Sequence, residues 1–381
     1  MNAMDRIYLD HNATTPLDPR VFAAMRPWLE EGFGNASSLH FFGQRARAAV
    51  EEARGRVAAL VGAAPAEIVF TSGGTEADNL ALRGAMGAAA LGRRKLVVTG
   101  IEHHAVLNTA RALGAEGFTV EVARVGPEGR VDLEDLRARL DDATAVLSVM
   151  LANNETGTLQ PVAEAAALAR ARGALVHCDA VQAAGKVAVD VSELDCDLLS
   201  LSAHKIYGPQ GVGALYVRRG TSMKALLRGG SQERNRRAGT ENVAGAVGFG
   251  RAAEIARGDL GDEAGRLLAL RDRLEGRLLS LPGARRNGEG PRLPNTTNVS
   301  FEGADAEALL VALDLGGIAV STGAACAAGA AEPSHVLVAM GLSPERVQGS
   351  LRFSLGRATT EVALDHAAAA VVEAVDSQLR S

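Results

Sequence analysis

Short apolar runs recur along the first two thirds of the chain, and between them lie longer stretches in which apolar residues return every three or four positions. EIVF (67–70), KLVVT (95–99), VEVARV, AVLSVML, ALVHCD (174–179), LLSLS (198–202) and GALYVR (213–218) are predicted strands. TEADNLALRGAMGAA (75–89), HAVLNTARALGAEG (104–117), DLEDLRARL and PVAEAAALARARG are predicted helices. Apolar strands alternating with helices imply an α/β fold around a mainly parallel sheet covered on both faces. After about residue 255 the order changes. A helix at roughly 260–280 precedes NTTNVSFEG (strand), AEALLVALDLGG (helix), RFSLG (strand) and a final amphipathic helix, TEVALDHAAAAVVEAVDSQL. This is the order of a smaller α+β unit. The expected division is a large domain over 14–258 and a small domain from 1–13 and 259–381.

Composition narrows the function classes. Apolar residues make up 47% and charged residues 22%, the balance of a globular protein rather than a disordered one. A net charge of −5 gives no basic footprint for nucleic acid or a membrane surface. The three cysteines, Cys178, Cys196 and Cys326, are too few for a disulfide framework and contain no C-x-x-C pair. No metal site is expected. The opening MNAMDRIYLDHN lacks a basic segment followed by an apolar one, and no run of eighteen apolar residues occurs. The expected location is the cytoplasm.

Five features could carry chemistry. In SAHKIYGPQGVGALY (202–216), Lys205 follows an apolar strand and precedes a Gly/Pro-rich turn. Partial desolvation there lowers an amine pKa, as a Schiff-base lysine needs. A lone lysine more often closes a strand at the surface, but Ser202 and His204 beside it suit an anion. In HCDAVQ (177–182), Asp179 ends an apolar strand, where a carboxylate needs a partner. It suits either a protonated ring nitrogen or a helix N-cap. FTSGGTEADN (70–79) reads as strand, glycine turn and helix start, with Gly74 and Thr75 where a phosphate or a plain N-cap would sit. IEHHAV (101–106) offers His103 for stacking or proton transfer, or as a structural histidine. SLRFSLGR (350–357) places Arg352 in a short strand, suited to a carboxylate clamp or an internal ion pair.

Together with YLDHNATTP (8–16), IVFTSGGTEADNLA (68–81), NNETG (153–157), RRAGTEN (236–242) and EPSHVL (332–337), these motifs run from residue 8 to the 350s. The chain resembles the cysteine desulfurases of the NifS/IscS type, in the class-V aminotransferase family. The resemblance implies a pyridoxal 5'-phosphate (PLP) enzyme that converts L-cysteine to L-alanine and keeps the sulfur as a persulfide. Lys205 would carry PLP as a Schiff base, Asp179 pair its ring nitrogen, Gln182 bond its ring hydroxyl and His103 stack on it. Gly74, Thr75, Ser202 and His204 would bind the phosphate, with Thr240 donated by the other subunit of a homodimer. Asn154 and Arg352 would bind the substrate carboxylate. Cys326, in STGAACAAGA (321–330), matches the sulfur-accepting cysteine, which could also contact an iron–sulfur cluster in passing. The family commonly has S-S-G-S-A-C here, so Thr322 and Ala324 depart from the pattern. The length of the following run fits the long-loop group, and residues of about 322–331 are expected to form a mobile tether. An iron–sulfur scaffold protein is the implied sulfur acceptor. A selenocysteine lyase or another small-amino-acid PLP enzyme of the same fold is the nearest alternative, and a non-catalytic sulfur-relay scaffold a more distant one. Cys178 and Cys196 read as buried and inert.

Overall fold

The structure is a computed structural model that describes residues 6–322 and 333–380 of the 381. Strand β1 (Ile7–Tyr8) and helices α1 (Pro19–Glu30) and α2 (Phe41–Leu60) come first. The alternating run follows as β2 (Ile68–Thr71), α3 (Gly74–Ala88), β3 (Lys95–Thr99), α4 (His104–Ala115), β4 (Thr119–Ala123), α5 (Leu133–Arg139), β5 (Thr144–Ser148), α6 (Val162–Arg170), β6 (Leu175–Asp179), β7 (Leu198–Ser202) and β8 (Gly213–Val217). Helix α7 (Val243–Leu278) leads to β9 (Ala284–Arg286), β10 (Thr296–Phe301), α8 (Ala306–Leu315), β11 (Ile318–Ala319), α9 (His335–Ala339), α10 (Pro344–Gln348), β12 (Ser350–Ser354) and α11 (Glu361–Leu379).

Seven strands form one sheet in the order β2-β8-β7-β6-β5-β3-β4. Only β8 runs against its neighbours, which are β2 and β7. The other pairs are parallel. Strand period decides which layer each side chain joins. Leu199, Leu201, Ala214 and Tyr216 pack into the core beneath α1, α2, α6 and the start of α7. Leu198, Leu215 and Val217 pack on the other face, against α3 and α4. A third cluster holds Leu9, Leu267, Leu274, Phe301, Leu309, Phe353 and Val371 around the antiparallel sheet β12-β10-β9 and the C-terminal helices. No helix among the described residues is long and apolar enough to cross a membrane.

Helix α7 corrects one expectation. It spans 36 residues and begins well before residue 260. Its first half, VAGAVGFGRAAEIAR, is diluted by glycines that lower helix propensity. Packing requires them: a Cβ on Gly250 would lie 2.6 Å from the Ala53 Cα in α2. The first half of α7 therefore joins the large core, and Leu267, Leu270, Leu274 and Leu278 join the small one.

Residues 231–242 carry three consecutive non-glycine residues in the left-handed region, Glu233, Arg234 and Asn235 (φ 46°, 57° and 63°). Such a run is costly for L-residues. It is held by a buried fork–fork pair in which Arg54 donates to both oxygens of Glu233, at 2.7 and 2.9 Å. Glu233 also accepts the Phe70 N–H, and Arg54 donates to the Ile68 carbonyl, so the loop is fastened to β2. Arg54→Met leaves a buried carboxylate without its cation. It should lower unfolding stability by about 3 kcal/mol, read as a drop in the urea midpoint. An unchanged midpoint would contradict this role for the pair.

Candidate active site

The parallel strands end along one edge of the large sheet, the usual ligand edge of such sheets. The turns after β2, β3, β5, β6 and β7 deliver Gly74 and Thr75, His103, Asn154, Asp179 with Gln182, and Ser202 with His204 and Lys205. Arg352 reaches the same place from β12. All ten line one cavity of ≈ 460 Å³, within the usual range for small-molecule sites. Thr240 is exposed and is not part of this wall. Cys326 and the expected tether lie outside the described residues, but Ser321 lines the cavity and its backbone pairs with Arg352.

Lys205 Nζ donates to the Asn12 carbonyl at 2.5 Å and the Ala13 carbonyl at 2.7 Å. Burial, then Arg352, lowers its pKa to about 8. A fraction of the amine is therefore free at neutral pH, whereas an exposed lysine is almost fully protonated. Asp179 has the opposite problem. Burial, reinforced by Asp78, raises its carboxyl to about 7, and Val181 N–H bonds its Oδ1 at 2.9 Å. A cation brought into the cavity would relieve it. His103 caps α4 by accepting the Ala105 N–H at its Nδ1, so the neutral ring carries its proton on Nε2. Burial, then Lys205, lowers its pKa to about 4.

Arg352 donates to Asp10 at 2.6 Å and to the Asn154 carbonyl at 3.1 Å, while its buried Nε has no partner among the described residues. The internal ion pair and the cavity-facing position thus coexist. At the α3 start the first N–H groups have no acceptor within the helix. Gly74 allows close approach there, because a Cβ would meet Val181 Cγ2 at 2.9 Å. An aromatic phosphate ester with a basic ring nitrogen and an aldehyde fits this set: a helix N-terminus for the phosphate, a buried acid for the nitrogen, a depressed amine for the aldehyde. Asp10, Asn12 and Ala13 were not among the expected site residues, although YLDHNATTP contains them. Asp78 was also missed, and its signal is a carboxylate on the apolar face of α3 beside Ala77 and Ala81.

The aminotransferase class-V model matches residues 7–366. The chain belongs to this family, among its cysteine desulfurases of the NifS/IscS type. It is 48% identical to a cysteine desulfurase of Trichormus azollae over 98% of the chain and 94% of that protein. It is 46% identical to cysteine desulfurase IscS of Dictyoglomus turgidum over 98% and 95%. The solved structure of a NifS-like protein superposes with a TM-score of 0.92 at 39% identity, covering 98% of the chain and all of that one. The family is one of PLP-dependent enzymes. Cys178 and Cys196 are fully buried and unpaired, and burial pushes the Cys196 thiol up to about 12 and Cys178 well above the usual value. Neither forms a thiolate near neutrality.

Glu102, just before His103, accepts from the Thr99 hydroxyl and the Met150 N–H through one oxygen, and the other has no partner among the described residues. Burial raises its pKa to about 8. From the ordinary carboxyl range near 4 up to that value, the folded state holds a proton that the unfolded state has released. Stability from this group is therefore lost as pH rises through the window. Relative to wild type, Glu102→Gln should gain a few degrees in thermal midpoint between pH 5 and pH 8. A difference that stays flat with pH would show that Glu102 is ionised in the fold.

Proposed function

We propose that the cavity binds PLP and free L-cysteine, and that the substrate sulfur passes to Cys326. The supporting observation is the meeting of Lys205, Asp179, His103, Arg352 and the α3 N-terminus in one cavity. Gly74, Thr75, Ser202 and His204 would hold the phosphate, Asp179 would hold the ring-nitrogen proton, Gln182 would bond the ring hydroxyl and His103 would stack on the ring. When bound, PLP supplies the electron sink that makes bonds at the substrate carbons labile. Arg352 and Asn154 would fix the substrate carboxylate, with Arg352 Nε, which has no partner among the described residues, as a donor. Lys205 Nζ, with its pKa lowered to about 8, takes the Cα proton. His103, neutral with its proton on Nε2, is placed to take part in proton transfer.

The Cys326 thiolate then attacks the substrate sulfur. A sulfur–sulfur bond forms and the Cβ–S bond breaks. The electron pair goes to Cβ, which takes up a proton, Lys205 returns its proton to Cα, and the carbon skeleton leaves as alanine. The persulfide stays on the chain. The site of entry suits this, since Ser321, shortly before Cys326, sits on the cavity wall. An iron–sulfur scaffold protein is the proposed acceptor, and the cytoplasm, where thiols stay reduced, the proposed location.

A homodimer is proposed on a second observation. Phe22, Leu29, Phe33, Leu39, Phe41 and Phe42 are exposed in one short stretch. Phe33 and Phe42 stack at 4.8 Å, and Arg45 lies over Trp28 and Phe41. Four of the nine phenylalanines are thus in solvent, which marks an interface rather than a monomer surface. Thr240, exposed and off this chain's own cavity wall, is the residue that the resemblance assigns to the phosphate site of the partner copy.

Two measurements test these readings. Cys326→Ala should lower alanine and sulfide release from cysteine plus reductant by about a hundredfold or more. Release at the wild-type rate would remove Cys326 from the reaction. Replacing Phe33 and Phe41 together by Asp should halve the particle mass in light scattering, and an unchanged mass would place the interface elsewhere.

A further inference from the structure

Lys186 is a buried lysine with no carboxylate paired to it among the described residues. Its Nζ donates to Gln182 Oε1 at 2.7 Å and to Asn12 Oδ1 at 3.2 Å. Both acceptors are amides whose orientation is already decided on their other side. Gln182 Nε2 donates to the Asn12 carbonyl at 2.8 Å, and Asn12 Nδ2 donates to the Asn154 carbonyl and to Thr296 Oγ1. Carbonyl groups only accept, so each amide must turn its oxygen toward Lys186. A donor is therefore required at this point, and an apolar side chain of the same length would leave the buried Gln182 oxygen without one and the Asn12 oxygen with only the Asn295 amide at 3.2 Å.

The contacts lead directly to the working amine. The Asn12 carbonyl that receives Gln182 also receives Lys205 Nζ. Lys186 and Lys205 line the same small void of ≈ 30 Å³, room for about one water. The charged groups that act on this pair are Lys205 and Arg352 on Lys186, and Arg352, Asp10 and Asp179 on Lys205. Burial, then Lys205 and Arg352, holds the Lys186 pKa well below the usual lysine value. Its retention in so unfavourable a place calls for a local use.

We propose that Lys186 is a positioning residue for the reaction: by holding the amide oxygens of Gln182 and Asn12, it keeps the Gln182 amino group and the Asn12 carbonyl aimed at the ring hydroxyl and at Lys205. The inference rests on the function proposed above and adds to it the group that orients two of its parts. Without Lys186 the Gln182 oxygen loses its buried donor, and the amide is held on one side only, by its bond to the Asn12 carbonyl. The Gln182 amino group is then less sharply aimed at the ring hydroxyl, while the chain keeps its fold.

The test compares PLP-loaded wild type, Lys186→Met, Gln182→Met and the double variant. Circular dichroism checks folding. The visible absorption band of the bound cofactor and its pH midpoint report the ring environment apart from turnover. Lys186→Met should displace the band midpoint in the same direction as Gln182→Met and lower kcat by about tenfold to a hundredfold with little change in KM. The double variant should be no worse than Gln182→Met alone. A midpoint and kcat equal to wild type would overturn the inference, and so would fully additive losses in the double variant. If Lys186→Met does not fold, Lys186→Gln, which keeps one donor, replaces it, with partial retention of the wild-type band expected and a band like that of Gln182→Met overturning the inference. Wild type that makes no alanine from cysteine would overturn the proposed reaction instead, and the band comparison would still decide the role of Lys186.

Discussion

One lysine amine, drawn out of water and met by two backbone carbonyls, sets the terms for its surroundings. Lys205 belongs to the turn after β7, and its acceptors belong to Asn12 and Ala13. The segment that carries those acceptors is itself fixed from several sides. The Asn12 N–H donates to Ser354 Oγ in β12, and its side chain reaches Thr296 in β10 and Asn295 beside it. The two cores are thereby joined through a polar seam at the amine. Position of the amine and registration of the small sheet are one problem with one solution.

Around that amine the titrating groups are set by burial more than by pairing. Asp78, Asp179, Glu102 and Glu155 rise to about 7 or 8, while His11, His103, His177 and His204 fall to about 4. Acids and bases alike are thus pressed toward their neutral forms. A cavity of this kind is poorly solvated and answers strongly to any charge that enters it. A charged ligand brought into it would meet few competing charges from the chain.

Much of this was legible in the sequence because chemistry sat where periodicity stopped. Asp179 and Lys205 stand out as polar residues at the ends of apolar strands, and β3 and β7 fall on the expected residues. The reverse direction of β8 was not legible, since GALYVR reads the same in either sense. Helices α1 and α2 went unread because the alternating pattern begins only after them. The early start of α7 was hidden by glycines whose use is close packing on α2. Lys186 was silent for another reason: in AVQAAGKVAVD nothing distinguishes a lysine that turns inward from one that faces solvent. Its role is visible only when the orientations of Gln182 and Asn12 are known.

The long helix α7 carries a mechanical consequence. At 36 residues it is about 54 Å long, and its two halves are embedded in different cores. A continuous rod anchored at both ends resists hinging, because bending it would break backbone hydrogen bonds inside packed protein. The two halves of the molecule behave as one stiff frame. A change of shape that required the two cores to swing apart would have to break this rod, so the relative placement of Lys205 and Arg352 is fixed by the frame.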